Sequence, residues 1–212
     1  MAQISFPSII GPSSITFGIK GHSQTFTSEF TGSSQYVRLP GSRWYGTATW
    51  DNLDGADFDE LKAFLTELEG PHNSFLFGDV SRDTPRSGLA ANYVIETSSS
   101  FSNHLTQIEV RKESGSPTIS GTQSLFKKGD YFQISTTKGL ELKISTTDST
   151  IQNSGNHQVN FAPALRGGTA TGANLTRHSP RGLMRLSDTD QVNWDIRAPV
   201  VGNTTISFLE AF

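Results

Sequence analysis

The sequence predicts a mainly β protein: an antiparallel β domain carrying one amphipathic helix, with a small β-barrel module inserted into it. Three observations predict this. Short segments of alternating apolar residues recur between turn residues along most of the chain. A single stretch, 57–69, has helical spacing instead. Two Pro-Arg marks, "DTPRSG" at 83–88 and "SPRG" at 179–182, bracket about ninety residues of fresh β pattern.

Taken in order, Ile15, Phe17 and Ile19 fall on one face of a strand, and Phe26 and Phe30 on one face of the next segment. "QYVRL" ends at the turn pair Pro40-Gly41, and "RWYGTATW" then aligns Trp44, Gly46, Ala48 and Trp50. In the helical stretch, Phe58, Leu61, Phe64, Leu65 and Leu68 form one apolar stripe, which suits a helix lying across a sheet. Asp54 or Asp57 serves as its N-cap, with Glu60 placed three residues after Asp57 as in a capping box. Gly70-Pro71 stops it, and "SFLFGD" is a further strand.

Between the two marks lie the strand candidates "NYVIE", "LTQIEV", "DYFQIS", "LELKIS" and "HQVNFA", with a hairpin turning at Thr137-Lys138-Gly139 and a Lys-Gly-Asp turn feeding it. After the second mark come "VNWDIRA" and a closing strand, "TTISFLEAF", in which Ile206, Phe208 and Phe212 share a face. This strand is expected to pair with the N-terminal sheet and to pack toward the helix. The organisation that follows is a discontinuous domain, residues 1–85 plus 180–212, with a barrel at 86–179.

Composition narrows the function. The net charge of −3 provides no basic face to neutralise phosphates, which argues against nucleic acid as a partner. There is no cysteine, hence no disulfide framework and no cysteine-based site. The opening residues lack the basic and apolar regions of a secretion signal, and no run of eighteen apolar residues points to a membrane.

Chemistry-bearing motifs fail one by one. The five histidines are scattered, without the close pair that zinc requires. The acids 57–69 do not fit a calcium loop, since aligning Gly55 with its glycine puts Trp50 at the first ligand position. "GHSQT" at 21–25 lacks the last glycine of a nucleophile elbow, and "GGTATGAN" puts Ala173 and Asn174 where a phosphate loop needs Lys and Ser or Thr. Asp79 and Asp83 paired with Glu69 give only a generic carboxylate set. No catalytic residue, metal or cofactor is expected. Trp44, Tyr45, Trp50 and Trp194 could stack on sugars, but core and interface packing is the simpler role for the two tryptophans that share strand parity. The hairpin around Trp44, Tyr45 and Trp50 is also the expected subunit interface, through unpaired strand edges.

The order of parts resembles one family. A Trp-rich hairpin precedes "FDELKAFLTELEG", then come "FLFGD", "TPRSG", an inserted module with "LFKKGDYFQI", "VNFAPALR" and a terminal "ISFLEAF". This is similar to the minor tail proteins of long-tailed bacteriophages, most closely the distal tail protein group. The resemblance implies a structural virion protein at the tail tip: a hexameric ring of β domains, with outward-facing barrels, joining the tail tube protein to the hub and fibre proteins. It implies no catalytic residues and no membrane partner. Two other readings stand beside it, a carbohydrate-binding or wall-degrading tail component and a head–tail connector or tube subunit.

Overall fold

A computed structural model describes residues 2–9, 11–38, 41–188, 194–197 and 201–211. The chain is mainly β with one α-helix. In chain order the elements are β1 (Gln3–Ile4), β2 (Ser14–Lys20), β3 (Ser23–Thr27), β4 (Ser34–Arg38), β5 (Arg43–Leu53), α1 (Gly55–Leu68) and β6 (Ser74–Phe77). A short 3-10 turn, Val80–Arg82, leads on to β7 (Ile95–Thr97), β8 (Gln107–Lys112), β9 (Gln123–Phe126), β10 (Tyr131–Thr136) and β11 (Gly139–Ser145). Then come β12 (Ser149–Ile151), β13 (His157–Ala162), β14 (Asn174–Thr176), β15 (Gly182–Leu186), β16 (Trp194–Arg197) and β17 (Val201–Glu210).

Seven strands form one sheet in the order β1-β6-β15-β17-β5-β2, with β16 added along β17. Its pairs are antiparallel except β1 with β6. Strands β10-β11-β13-β8-β7-β14 close into a six-stranded barrel, and β9 pairs with β12 beside it. Every barrel strand lies between Ile95 and Thr176, and every strand of the large sheet lies outside that interval. The chain enters and leaves the barrel at one place: Ser179 N–H donates to the Asp83 carbonyl at 2.6 Å, and Arg181 pairs with Asp83 at 2.9 Å.

Two separate apolar cores result. The sheet and helix share one, built on Trp44, Trp50, Phe58, Leu61, Phe64, Leu65, Leu68, Phe75, Ile206 and Phe208. Ile95, Ile108, Val110, Phe126, Phe132, Val159 and Phe161 fill the barrel. The helix turns Phe58, Leu61, Phe64, Leu65 and Leu68 inward and leaves Asp54, Asp59, Glu60, Glu67 and Glu69 exposed. Asp54 is the N-cap and accepts from Asp57 N–H at 3.2 Å, so Glu60 closes no capping box. Glu69, in the left-handed region with φ of 50°, ends the helix ahead of Gly70.

Several expectations from the sequence need correction. Strand β5 is central, paired along one side with β17 and along the other with β2, so the Trp44–Trp50 segment offers no open edge. Trp44 and Trp50 are buried in the core, and Tyr45 alone of the proposed interface trio points outward. The four-aromatic sugar platform therefore does not form. Phe30 is not on a strand but in the turn between β3 and β4. The barrel hairpin turns on Thr137-Lys138, because Gly139 already pairs with Thr136.

The closing strand β17 pairs with β5, its Ile206 and Phe208 are buried, and Phe208 packs edge-on to Phe77 with ring centroids 4.9 Å apart. Phe212 lies outside the described residues. Gly46 on β5 faces Phe208: a Cβ there would stand 2.8 Å from its Cζ and collide with the Thr16 carbonyl.

Two substitutions test this core. Phe208→Ala is expected to cost about 3–5 kcal/mol, and Gly46→Ala about 1–3 kcal/mol through overpacking. Lys138→Ala, in the exposed barrel turn, should leave the melting temperature unchanged. An unaltered thermal melt for Phe208→Ala would remove the closing strand from the core.

Candidate functional site

Two features stand apart from ordinary packing. One is an arm. Among the described residues, strands β3 and β4 pair only with each other, continuing the β2–β5 ribbon past the edge of the sheet. Both faces of β3 are exposed along its whole length. The arm carries Phe26, Tyr36 and Val37 in the open, and Phe30 at its tip is 100% exposed. Between Ser23 and Arg38 the charged residues are Glu29 and Arg38; the rest are Ser, Thr, Gln, Gly and the apolar residues. Phe26 and Val37 share one face, as diagonal neighbours in the register that sets Phe26 opposite Gln35 and Val37 opposite Gln24.

The tip is shaped by its own hydroxyl groups. Ser28 N–H donates to the Ser33 carbonyl at 2.9 Å, Thr31 N–H to Ser28 Oγ at 3.3 Å, and Gly32 takes a φ of +65°. An isolated two-stranded hairpin is marginal in water, and this one holds its aromatics away from either core. Beside it, β2 has no strand partner on its outer edge among the described residues, which leaves a seven-residue template for pairing.

The second feature is a charged seam where the barrel meets the sheet. On β11, Glu141 and Lys143 pair across to Ile134 and Phe132, two barrel-core residues, and so lie on the barrel-facing side. Leu142, between them, points the other way and joins the core of the sheet, with Tyr131 and Ile144 packed beside it. Gly182 on β15 makes this approach possible, since a Cβ there would sit 3.0 Å from the Leu142 Cβ.

Lys143 is fully buried; its ammonium pairs with Glu141 at 2.7 Å and donates to the Ala164 carbonyl at 3.1 Å. Glu141 also accepts from Gly167 N–H at 2.8 Å and from Thr136 Oγ1 at 2.8 Å. Arg166, on the loop after β13, reaches out of the barrel to Glu210 of β17 at 2.9 Å and to the Ser42 carbonyl. Glu210 in turn accepts from Trp44 N–H at 3.0 Å, while Trp44 Nε1 donates to the Leu142 carbonyl at 2.7 Å.

Burial by itself would raise the Glu141 carboxyl, but Lys143 and the Gly167 and Thr136 donors bring it below the usual range. Burial dominates at Glu210 and pushes its carboxyl up, with Arg166 and Lys143 offsetting only part of the effect.

Elsewhere the polar groups have structural partners. Asp130 of the Lys-Gly-Asp turn is buried and accepts from Lys127 N–H and from Arg86, tying that turn to the entry link. Arg177, pushed down to about 10 by burial, donates to the carbonyls of Leu89, Ala90 and Tyr93 and fastens the exit strand to the entry loop. Asp79 caps the 3-10 turn through Ser81 N–H at 2.9 Å, and Asp83 holds Arg181, so the Glu69, Asp79 and Asp83 set is committed to turns and links. A polar cleft of about 420 Å³ on the barrel lies between the Glu96–Arg111 pair and the loop 153–156, and no aromatic residue lines it. Among the described residues no group of three or more His, Asp or Glu side chains is placed to hold a metal ion, and no helix is long and apolar enough to cross a membrane.

No family model matches the chain, and no curated protein aligns with it significantly.

The seam generates its own test. Lys143→Ala would leave Glu141 buried without its cation, at a cost of about 3–5 kcal/mol, read as a fall in melting temperature on the order of 10 °C. The sign with pH follows from the lowered Glu141 carboxyl: its contribution is complete above the ordinary glutamate value of 4.5 and is lost as pH falls through the lower folded-state value. Glu141→Gln should therefore flatten the acid limb of the melting-temperature profile while lowering stability at neutral pH.

Proposed function

We propose that the chain is a structural adaptor of a phage tail tip, a ring-forming distal tail protein that joins the tail tube protein to the hub and fibre proteins. The order of sequence motifs supports this reading, as does the two-part build of sheet domain and inserted barrel. The observation that carries it is the arm: an aromatic two-stranded ribbon with only Glu29 and Arg38 charged along it, running on from the open β2 edge. Such an edge is satisfied by another strand, and among the described residues the same chain leaves edges unpaired at β2, β3 and β4. A heterologous contact of this kind, repeated around an axis, closes into a ring. The number six comes from the family resemblance, as do the virion location and the partners. The carbohydrate-binding alternative loses its main support with Trp44 and Trp50 in the core.

The test is assembly. Native mass spectrometry and negative-stain images of the purified chain at rising concentration should show closed hexameric rings. A variant with Phe26→Ser, Tyr36→Ser and Val37→Ser should keep the wild-type melting temperature yet remain monomeric. A wild-type chain that stays monomeric throughout, or release of sugar from peptidoglycan or capsular polysaccharide, would defeat the adaptor reading. Rings formed equally well by the triple variant would show that the arm is not their interface.

A further inference from the structure

The seam combines two kinds of contact with different directionality. Its apolar part consists of Leu142, fully buried, with Tyr131 and Ile144 partly covered. Apolar burial is non-directional, and each unit already has its own core. The topology adds freedom, because the barrel is joined to the sheet at one place, where Asp83 meets Ser179 and Arg181. Two directional contacts oppose this freedom: the neutral bond from Trp44 Nε1 to the Leu142 carbonyl at 2.7 Å, and the Arg166–Glu210 pair at 2.9 Å between a barrel loop and β17, which is charge-assisted and so the stronger of the two in imposing geometry. A buried ion pair is a poor source of stability, since apolar residues of similar volume often serve as well or better. Setting the register between packed parts is its best-attested use.

We propose that Arg166 and Glu210 form an orientation lock: the pair fixes the direction in which the barrel stands on the seven-stranded sheet, and opening it lets the barrel swing as a unit about the 83–86 and 179–181 links. The lock also touches the root of the arm. The Ser42 carbonyl that accepts from Arg166 lies in the short connection from β4 to β5, so the arm and the barrel are held through one guanidinium. The proposal stands independently of the adaptor reading, because it concerns two parts of a single chain.

The chain has no cysteine, so paired labels can be placed cleanly. Spin labels at Ser154→Cys on the barrel and Glu67→Cys on the helix, both exposed positions, report the distance between the two units. The wild-type background should give one narrow distance distribution. In Arg166→Met combined with Glu210→Gln, where the glutamine still accepts from Trp44 N–H, the melting temperature should stay within a few degrees while the distribution broadens at least twofold. A narrow distribution in that variant, or a melting temperature reduced as much as by Arg166→Met alone, would overturn the proposal. Should the double variant fail to fold, hydrogen exchange on the wild-type protein decides: the Trp44 amide, donated to Glu210, should exchange at least tenfold faster than those of Phe132 and Val159. Exchange of all three at the rate of global unfolding would mean that the seam does not open separately.

Discussion

Strand β11 is covered on both faces, and much of the molecule follows from that constraint. A strand of a small closed barrel would ordinarily show one face to its own core and the other to water. Here Leu142 is taken into the core of the neighbouring sheet, while Glu141 and Lys143 face into the barrel. Two ionised groups enclosed in this way require partners, because an unpaired buried charge costs several kcal/mol. They find each other, and the remaining requirements are met by the Ala164 carbonyl, the Gly167 amide and the Thr136 hydroxyl. The loop that supplies the Ala164 carbonyl and the Gly167 amide also carries Arg166, and through it the network extends to Glu210, Ser42 and Trp44 of the sheet domain. The joint between the two units is thus a hydrogen-bonded structure with a defined geometry.

The arm presents the opposite condition. Its backbone is paired on one side only, its side chains reach neither core, and charge is nearly absent from it. Charged residues are the usual guard on a free β edge. Their scarcity here, Glu29 and Arg38 alone between Ser23 and Arg38, in a chain that places six carboxylates on and around its single helix, marks a segment suited to contact with protein and not to permanent solvation. The two features are adjacent in space at Ser42, so a chain that assembles through the arm would do so beside the point at which the barrel is held.

Much of the fold was legible in the sequence because its signals are local. The 3.6-residue spacing of Phe58, Leu61, Phe64, Leu65 and Leu68 depends only on which residues a helix turns to one side, and Asp54 and Gly70 mark its ends by backbone chemistry. The parity of Trp44, Gly46, Ala48 and Trp50 put them on one face for the same kind of reason. The strands of the closed barrel lie between the two Pro-Arg marks. What alternation leaves open is whether a strand is central or at an edge. The β5 edges, expected to be free, are filled by β2 and by β17, the latter about 150 residues further along the chain.

The sequence by itself therefore determined the β character of the chain and many of its strands, the single helix and its buried face, and the lack of recognisable catalytic motifs, while β9, β12, β14 and β15 went unread. Only the tertiary structure decided which strand edges stay open and where the charges of "LELKIS" point. Read alone, that alternation would send Glu141 and Lys143 to water and Leu142 into the barrel. The reverse holds because a second apolar core waits on the outer side of β11, and the Glu141–Lys143 pair, completed by the Ala164 carbonyl and the Gly167 amide from a loop more than twenty residues on and by the Thr136 hydroxyl, makes the inner charges tolerable. Period-2 patterning specifies that two sets of side chains face opposite ways. Which way is inward depends on what packs against each face, and that is a property of the whole chain.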